Sequence, residues 1–235
     1  MKKNKIKAIS LAALLTAGIT TVSAVNVQDD GGATYNPLQT AIPSLSIAPD
    51  AVGGGMGDVG AATAPDYNSQ HWNPAKYAFA YNRGGISVNY TPWLRKLVSG
   101  INLAYVSGYW KFGYEDQQAL SASLRYFSLG EVEAWSSTGT LTQVINPFEM
   151  AFDLGYSRKL SENFSMGVVL RLVASDLSAK NDENYKTGYA FAADINGFYD
   201  LPIDTKRGTD YFRFGFNIQN LGTKISYDGG NTKNF

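Results

Sequence analysis

The chain has 235 residues, 24 of them glycine, with 13% aromatic residues, 17% charged residues and a formal net charge of zero. Zero net charge removes the electrostatic case for nucleic-acid binding. The absence of cysteine excludes disulfides, thiolate metal sites, a cysteine nucleophile and a lipidated amino-terminal cysteine.

Lys2, Lys3, Lys5 and Lys7 precede an apolar run from Ala8 to about Thr20, followed by Val22-Ser23-Ala24. A basic stretch, a short apolar core and small residues before a cut predict a secretory signal peptide over 1–24. The apolar run is too short for a bilayer-spanning helix, which needs ~20 residues. Cleavage after Ala24 would remove four lysines and no acid, leaving a net charge of −4. Residues 25–49 are polar, with Asp29-Asp30-Gly31-Gly32 and scattered prolines, and read as a flexible lead-in.

Residues 50–84 form the next segment. It holds a literal G-x-G-x-x-G at Gly55, Gly57 and Gly60. A dinucleotide loop would need a strand before it and a helix after it. Pro49 stands before and Pro65 cuts any helix short. Glycines packed tightly in a narrow space are the better reading. The single histidine, His71, makes neither a metal site nor a catalytic triad and reads as structural.

Seven strand patterns follow over 85–235. Their apolar positions are Ile86-Val88-Tyr90, Ile101-Leu103-Tyr105, Leu120-Ala122-Leu124-Tyr126, Phe148 to Tyr156, Phe164 to Leu172, Tyr189-Phe191-Ala193-Ile195 and Phe212-Phe214-Phe216-Ile218. Alternation at period two gives each strand one apolar and one polar face. The connections near Glu115, Glu162 and Asp204 are short. Those at 92–99, 131–146 and 177–187 are longer. Short turns on one rim and long loops on the other are the habit of outer-membrane barrels, and a soluble sandwich has no need of it.

The polar faces supply Arg125, Glu149, Asp153, Arg171, Asp194 and Arg213, a predicted network filling an enclosed interior. A lysine or arginine turned to lipid at mid-membrane would cost ~2–4 kcal/mol, so the shared phase of these ions favours a barrel. No nucleophile, base and metal constellation converges with them, so no enzyme and no cofactor is expected. An odd strand count and a Gly- and Asn-rich end predict that the chain is the amino-terminal part of a longer barrel.

The segment Asp50 to Phe79, with Gly-Gly-Gly-Met-Gly-Asp and Asn73-Pro74-Ala75, resembles the hatch of FadL-like outer-membrane barrels. Four further stretches resemble the PorV family of the Bacteroidetes type IX secretion system. They are Ser44 to Ala51, Ser123 to Gly130, Tyr156 to Ser161 and Gly215 to Gly222. The resemblance implies an all-β antiparallel transmembrane barrel of about 14 strands, roughly seven of them present, with an amino-terminal hatch. It implies Gly55, Gly57, Asp58, Asn73 and Pro74 as hatch residues. The implied role is a shuttle in the cell outer membrane that binds carboxy-terminal signal domains of secreted cargo. Its partners would be the secretion translocon, those cargo domains, a sortase-like attachment complex and outer-membrane lipid, without nucleic acid. Trp93, Leu94, Leu97 and Trp135 are apolar residues in the predicted outer loops and are candidate partner contacts. The alternative is a FadL-type transporter of fatty acids or other hydrophobic compounds, which would need an apolar interior.

Overall fold

A computed structural model describes residues 42–92, 100–135, 139–176, 187–206, 208–223, 225–226 and 232–233. The predicted signal peptide, most of the lead-in, and Trp93, Leu94 and Leu97 lie outside these residues. The fold is all-β. Seven long strands form one antiparallel sheet, curled into a half-barrel. They are β1 (Gly84–Pro92), β2 (Ile101–Phe112), β3 (Gln118–Leu129), β6 (Phe148–Lys159), β7 (Phe164–Asp176), β8 (Gly188–Thr205) and β9 (Gly208–Gly222), each paired with the next in that order. Two short hairpins lie outside the sheet: β4 (Val132–Trp135) with β5 (Leu141–Ile145), and β10 (Ile225–Ser226) with β11 (Thr232–Lys233). The loop predicted at 131–146 is therefore partly a hairpin, with Trp135 at the end of β4. Among the described residues no helix is long and apolar enough to cross a membrane, which leaves membrane-crossing strands untouched.

The seven strands coincide with the seven sequence patterns, and the alternation of short and long connections is present. The turn between β2 and β3 is closed by Gly113, Glu115 and Asp116, all with positive φ. Sheet register follows the alternation. Asp153 sits opposite Arg171 across β6 and β7, while Leu154 sits opposite Leu170. A one-residue slip would put each ion on the apolar face, so register is strongly specified.

The two faces differ in kind. On the convex face Phe152, Leu154, Val168, Leu170, Phe191 and Phe214 are exposed, Leu170 by 67%. On the other face Glu149, Asp153, Arg171 and Asp194 are buried. Strand β2 departs from its predicted phase. Leu103 and Tyr105 are buried on the inner face, and Val106 and Trp110 point outward. Both faces of β2 are apolar because Tyr105 and Tyr109 meet packed neighbours inside, so alternation did not reveal its orientation.

Residues 42–80 pack against the inner face. They comprise a 3-10 turn (Pro43–Ser46), α1 (Ala51–Gly55), α2 (Ser69–Trp72) and a 3-10 helix (Pro74–Phe79) that lies on β6, β7 and β8. Residues 42–49, predicted as part of a flexible lead-in, are held instead. Ile42 is buried among Ala151, Val173 and Ala190 of the inner wall and Ile225 of β10, a cluster of small and β-branched side chains. At the short-turn end Tyr77, Ala80, Tyr109 and Ala119 form a second cluster. Tyr77 stacks on Tyr109 with ring centroids 4.3 Å apart.

Candidate functional site

The inner segment is assembled around Trp72 and Asn73. Asp50 caps α1, accepting from the Gly53 N–H at 2.7 Å, and its other oxygen accepts from Trp72 Nε1 at 2.8 Å. One carboxylate thereby satisfies an orphan helix donor and anchors an indole. The Trp72 ring lies on Gly53 and Gly60, where any Cβ would collide with it. This corrects the expectation for the glycine stretch. The tightly packed positions are Gly53 and Gly60, whereas Gly55 and Gly57 are exposed with open space where a Cβ would stand. Gly57 and Asp58 instead reverse the chain, with φ of 79° and 59°.

Asn73 links this segment to the wall. Its Oδ1 accepts from the Ala75 N–H at 3.1 Å, capping the 3-10 helix that Pro74 begins. Its Nδ2 donates to the carbonyls of Ala61 and of Gly197 on β8, both at 2.9 Å. Lys76 is fully buried and donates to the Gly60 carbonyl at 2.9 Å and Thr63 Oγ1 at 3.0 Å. Burial lowers its pKa to about 8.

The six predicted wall ions share one face but do not form one network. Arg171 stands between two carboxylates, with Nε 2.7 Å from Asp153 Oδ1 and Nη2 3.0 Å from Asp194 Oδ2. Ser123 donates to Asp153 at 3.0 Å, and the Asn220 N–H donates to Asp194 at 2.7 Å. Arg171 also donates to the Asn220 side chain. Arg213 pairs elsewhere, with Asp200 at 3.1 Å. Arg125 and Glu149 turn to the inner segment. Arg125 donates to the carbonyls of Ser44 and Ile47, the latter at 3.0 Å, and lies 2.8 Å from His71 Nδ1. Glu149 accepts from the Ser44 N–H at 3.1 Å.

His71 is structural in the way its neighbours demand. Burial first, then the charges of Arg125 and Arg171, hold its pKa well below 6.5. A neutral ring with Nδ1 as acceptor is the form that Arg125 can bond. Asn217 and Gln219 of β9 donate to the Trp72 and His71 carbonyls, at 2.7 and 2.8 Å.

Several of these residues were not singled out from the sequence. Asp200 continues the period of Asp194 and was readable. Asp50 and Ser44 carry no pattern that announces their partners. Among the described residues no cluster of three or more His, Cys, Asp or Glu could hold a metal ion. The arrangement is suited to closing an interior and fixing a plug to a wall.

A family model described as "Type IX secretion system protein PorV" matches residues 31–235. No curated protein matches the chain.

Proposed function

Because the chain belongs to the PorV family of type IX secretion system proteins, we propose that it is an outer-membrane shuttle, binding the carboxy-terminal signal domains of secreted cargo. In this reading it delivers them from the translocon to a surface attachment complex containing a sortase-like enzyme. Family membership gives a component of the secretion machinery. An all-β fold with no membrane-spanning helix among its described residues fits an outer-membrane protein.

The observation that carries the reading is the pairing of an exposed apolar convex face with ions buried on the opposite one. Each large apolar side chain left in water forgoes ~1.5–3 kcal/mol of burial, and a continuous face of them far exceeds what soluble monomers tolerate. Lipid is the medium that removes this penalty, since strands cross a bilayer as a barrel with polar groups inside. The inner segment, residues 42–80, then acts as a hatch. With Asn73, Arg125 and Glu149 fastening it to the wall, recognition falls to the outer loops, including the hairpin of β4 and β5. The role is one of binding and delivery, and it calls for no catalytic group or cofactor.

A FadL-type path for hydrophobic compounds would need an apolar interior. Here the inner wall carries Arg125, Asp153, Arg171 and Asp194. The discriminating experiment purifies the full-length protein from its own membranes and identifies what is held. Carboxy-terminal signal domains of secreted proteins support the shuttle. Fatty acid without cargo, or unchanged surface attachment of secreted proteins after removal of the gene, contradicts it.

A further inference from the structure

The convex face has one hollow that the proposed shuttle role leaves unused. Gly108 on β2 and Ala122 on β3 are outward residues and sit directly opposite each other. Larger outward side chains surround this low point, among them Ile86, Trp110, Leu124 and Leu154. Together they line an open groove of about 950 Å³ with almost wholly hydrocarbon walls. The glycine is built in. A Cβ on Gly108 would come 3.2 Å from the Gly85 carbonyl oxygen and 3.3 Å from Ile86 Cγ1.

The groove is amphipathic along its length. At the short-turn end stands Trp110, and the Arg83 guanidinium carbon lies 5.6 Å from the centre of its ring. The Arg83 side chain is 63% exposed, and Asp116 engages it through Nε at 3.5 Å. Tyr81 and Tyr114 are exposed on the same rim. Arg158, also exposed, is the last residue but one of β6, at this level. No charged side chain points outward from β1, β2 or β3 themselves. Aromatic rings with a cation at one end of an apolar face mark the headgroup level of a bilayer. A hydrocarbon slot that leads to a guanidinium matches a lipid with an anionic head.

We infer that the groove over Gly108 and Ala122 binds an acyl chain of an anionic phospholipid, with the lipid phosphate against Arg83. This rests on the outer-membrane placement proposed above. Arg83 shares its charge with Asp116, so the ~1 kcal/mol, about five-fold in occupancy, that one arginine near an anionic head contributes is an upper bound.

The test reconstitutes the full-length protein into vesicles of phosphatidylethanolamine with a minor share of phosphatidylglycerol. Flotation is checked, and the lipids retained after gentle extraction are identified by native mass spectrometry. The expected result is phosphatidylglycerol enriched over its share in the bilayer, by up to about five-fold. Ala122→Leu, which fills the groove, and Arg83→Gln, which removes the cation, should each abolish the enrichment. Val168→Leu, an outward change elsewhere, should leave it intact. Arg83→Gln keeps the test valid should Ala122→Leu fold poorly. Flotation without enrichment, or equal enrichment in all variants, overturns the lipid site and leaves the membrane placement standing. A photo-reactive residue replacing Leu124 that captures protein instead of lipid overturns it too, by making the groove a protein seam. Failure to float removes the membrane placement, and the lipid site with it.

Discussion

Arg125 and Arg171 are the same residue type on the same face, and both are almost fully buried. Their partners differ. Arg171 is held by two carboxylates of the wall, Asp153 and Asp194, on the strands either side of it. Arg125 spends its guanidinium on two backbone carbonyls and a neutral histidine of the inner segment. The first arrangement fastens wall to wall, and the second fastens plug to wall. A buried ion pair adds little net stability over a well-packed apolar substitute, yet breaking one partner leaves the others stranded. The two arginines should therefore fail in different ways when removed.

The largest effect is expected for Arg171→Met. Asp153 and Asp194 would remain buried without a counter-charge, at about 3–5 kcal/mol. Thermal unfolding of the full-length protein should shift well below wild type. Removing both charges with the arginine, in Asp153→Asn and Asp194→Asn, should recover part of the loss. Leu170→Arg comes next and probes the opposite face of the same strand. At mid-membrane an outward arginine costs ~2–4 kcal/mol, whereas on a water-exposed surface it would be nearly neutral. Urea-induced unfolding in lipid distinguishes the two.

Arg125→Met should cost less, about 1.5–3 kcal/mol for the lost charge-assisted bonds, and locally. Hydrogen exchange should rise across residues 42–72 while β6 to β8 stay protected. A wall that loosened equally would erase the distinction between the two arginines. The smallest effect concerns pH. His71 is held neutral, with its pKa depressed below the ordinary 6.5. Its contribution is complete above pH 6.5 and declines as the pH falls below that value, because the unfolded chain then takes up a proton that the folded one refuses. Protease sensitivity of the inner segment should increase on acidification, and less so in Arg125→Met, where the bond to His71 is already gone.

Much of the wall could be read directly from the chain. In β3, β6, β7 and β8 one face must repel water and the other must hold ions, so period-two alternation sets both strand and orientation. Strand β2 resisted because its inner positions, Leu103, Tyr105 and Tyr109, are as apolar as its outer ones. The inner segment was legible as a hatch only through its resemblance, and its internal packing was not. That Gly53 and Gly60, and not Gly55 and Gly57, meet an aromatic ring depends on where Trp72 lies. No local pattern in the glycine stretch encodes that position. The division of the six ions into a triad, two plug contacts and Arg213, which pairs with Asp200 outside the six, likewise depends on register across strands far apart in sequence.

The account stands on lipid lying against one face of β7 and the sealed interior against the other. The chain has no cysteine, so single cysteines carrying spin labels can be placed at will. The decisive measurement compares labels at Val168, Leu170 and Leu172 with labels at Ser165, Val169 and Val173 in lipid vesicles. The account predicts high collision rates with dissolved oxygen at the first three, low rates with both oxygen and a water-soluble nickel complex at the second three, and strict alternation between the sets. Nickel collisions at Leu170 as frequent as for a label in free solution would contradict it.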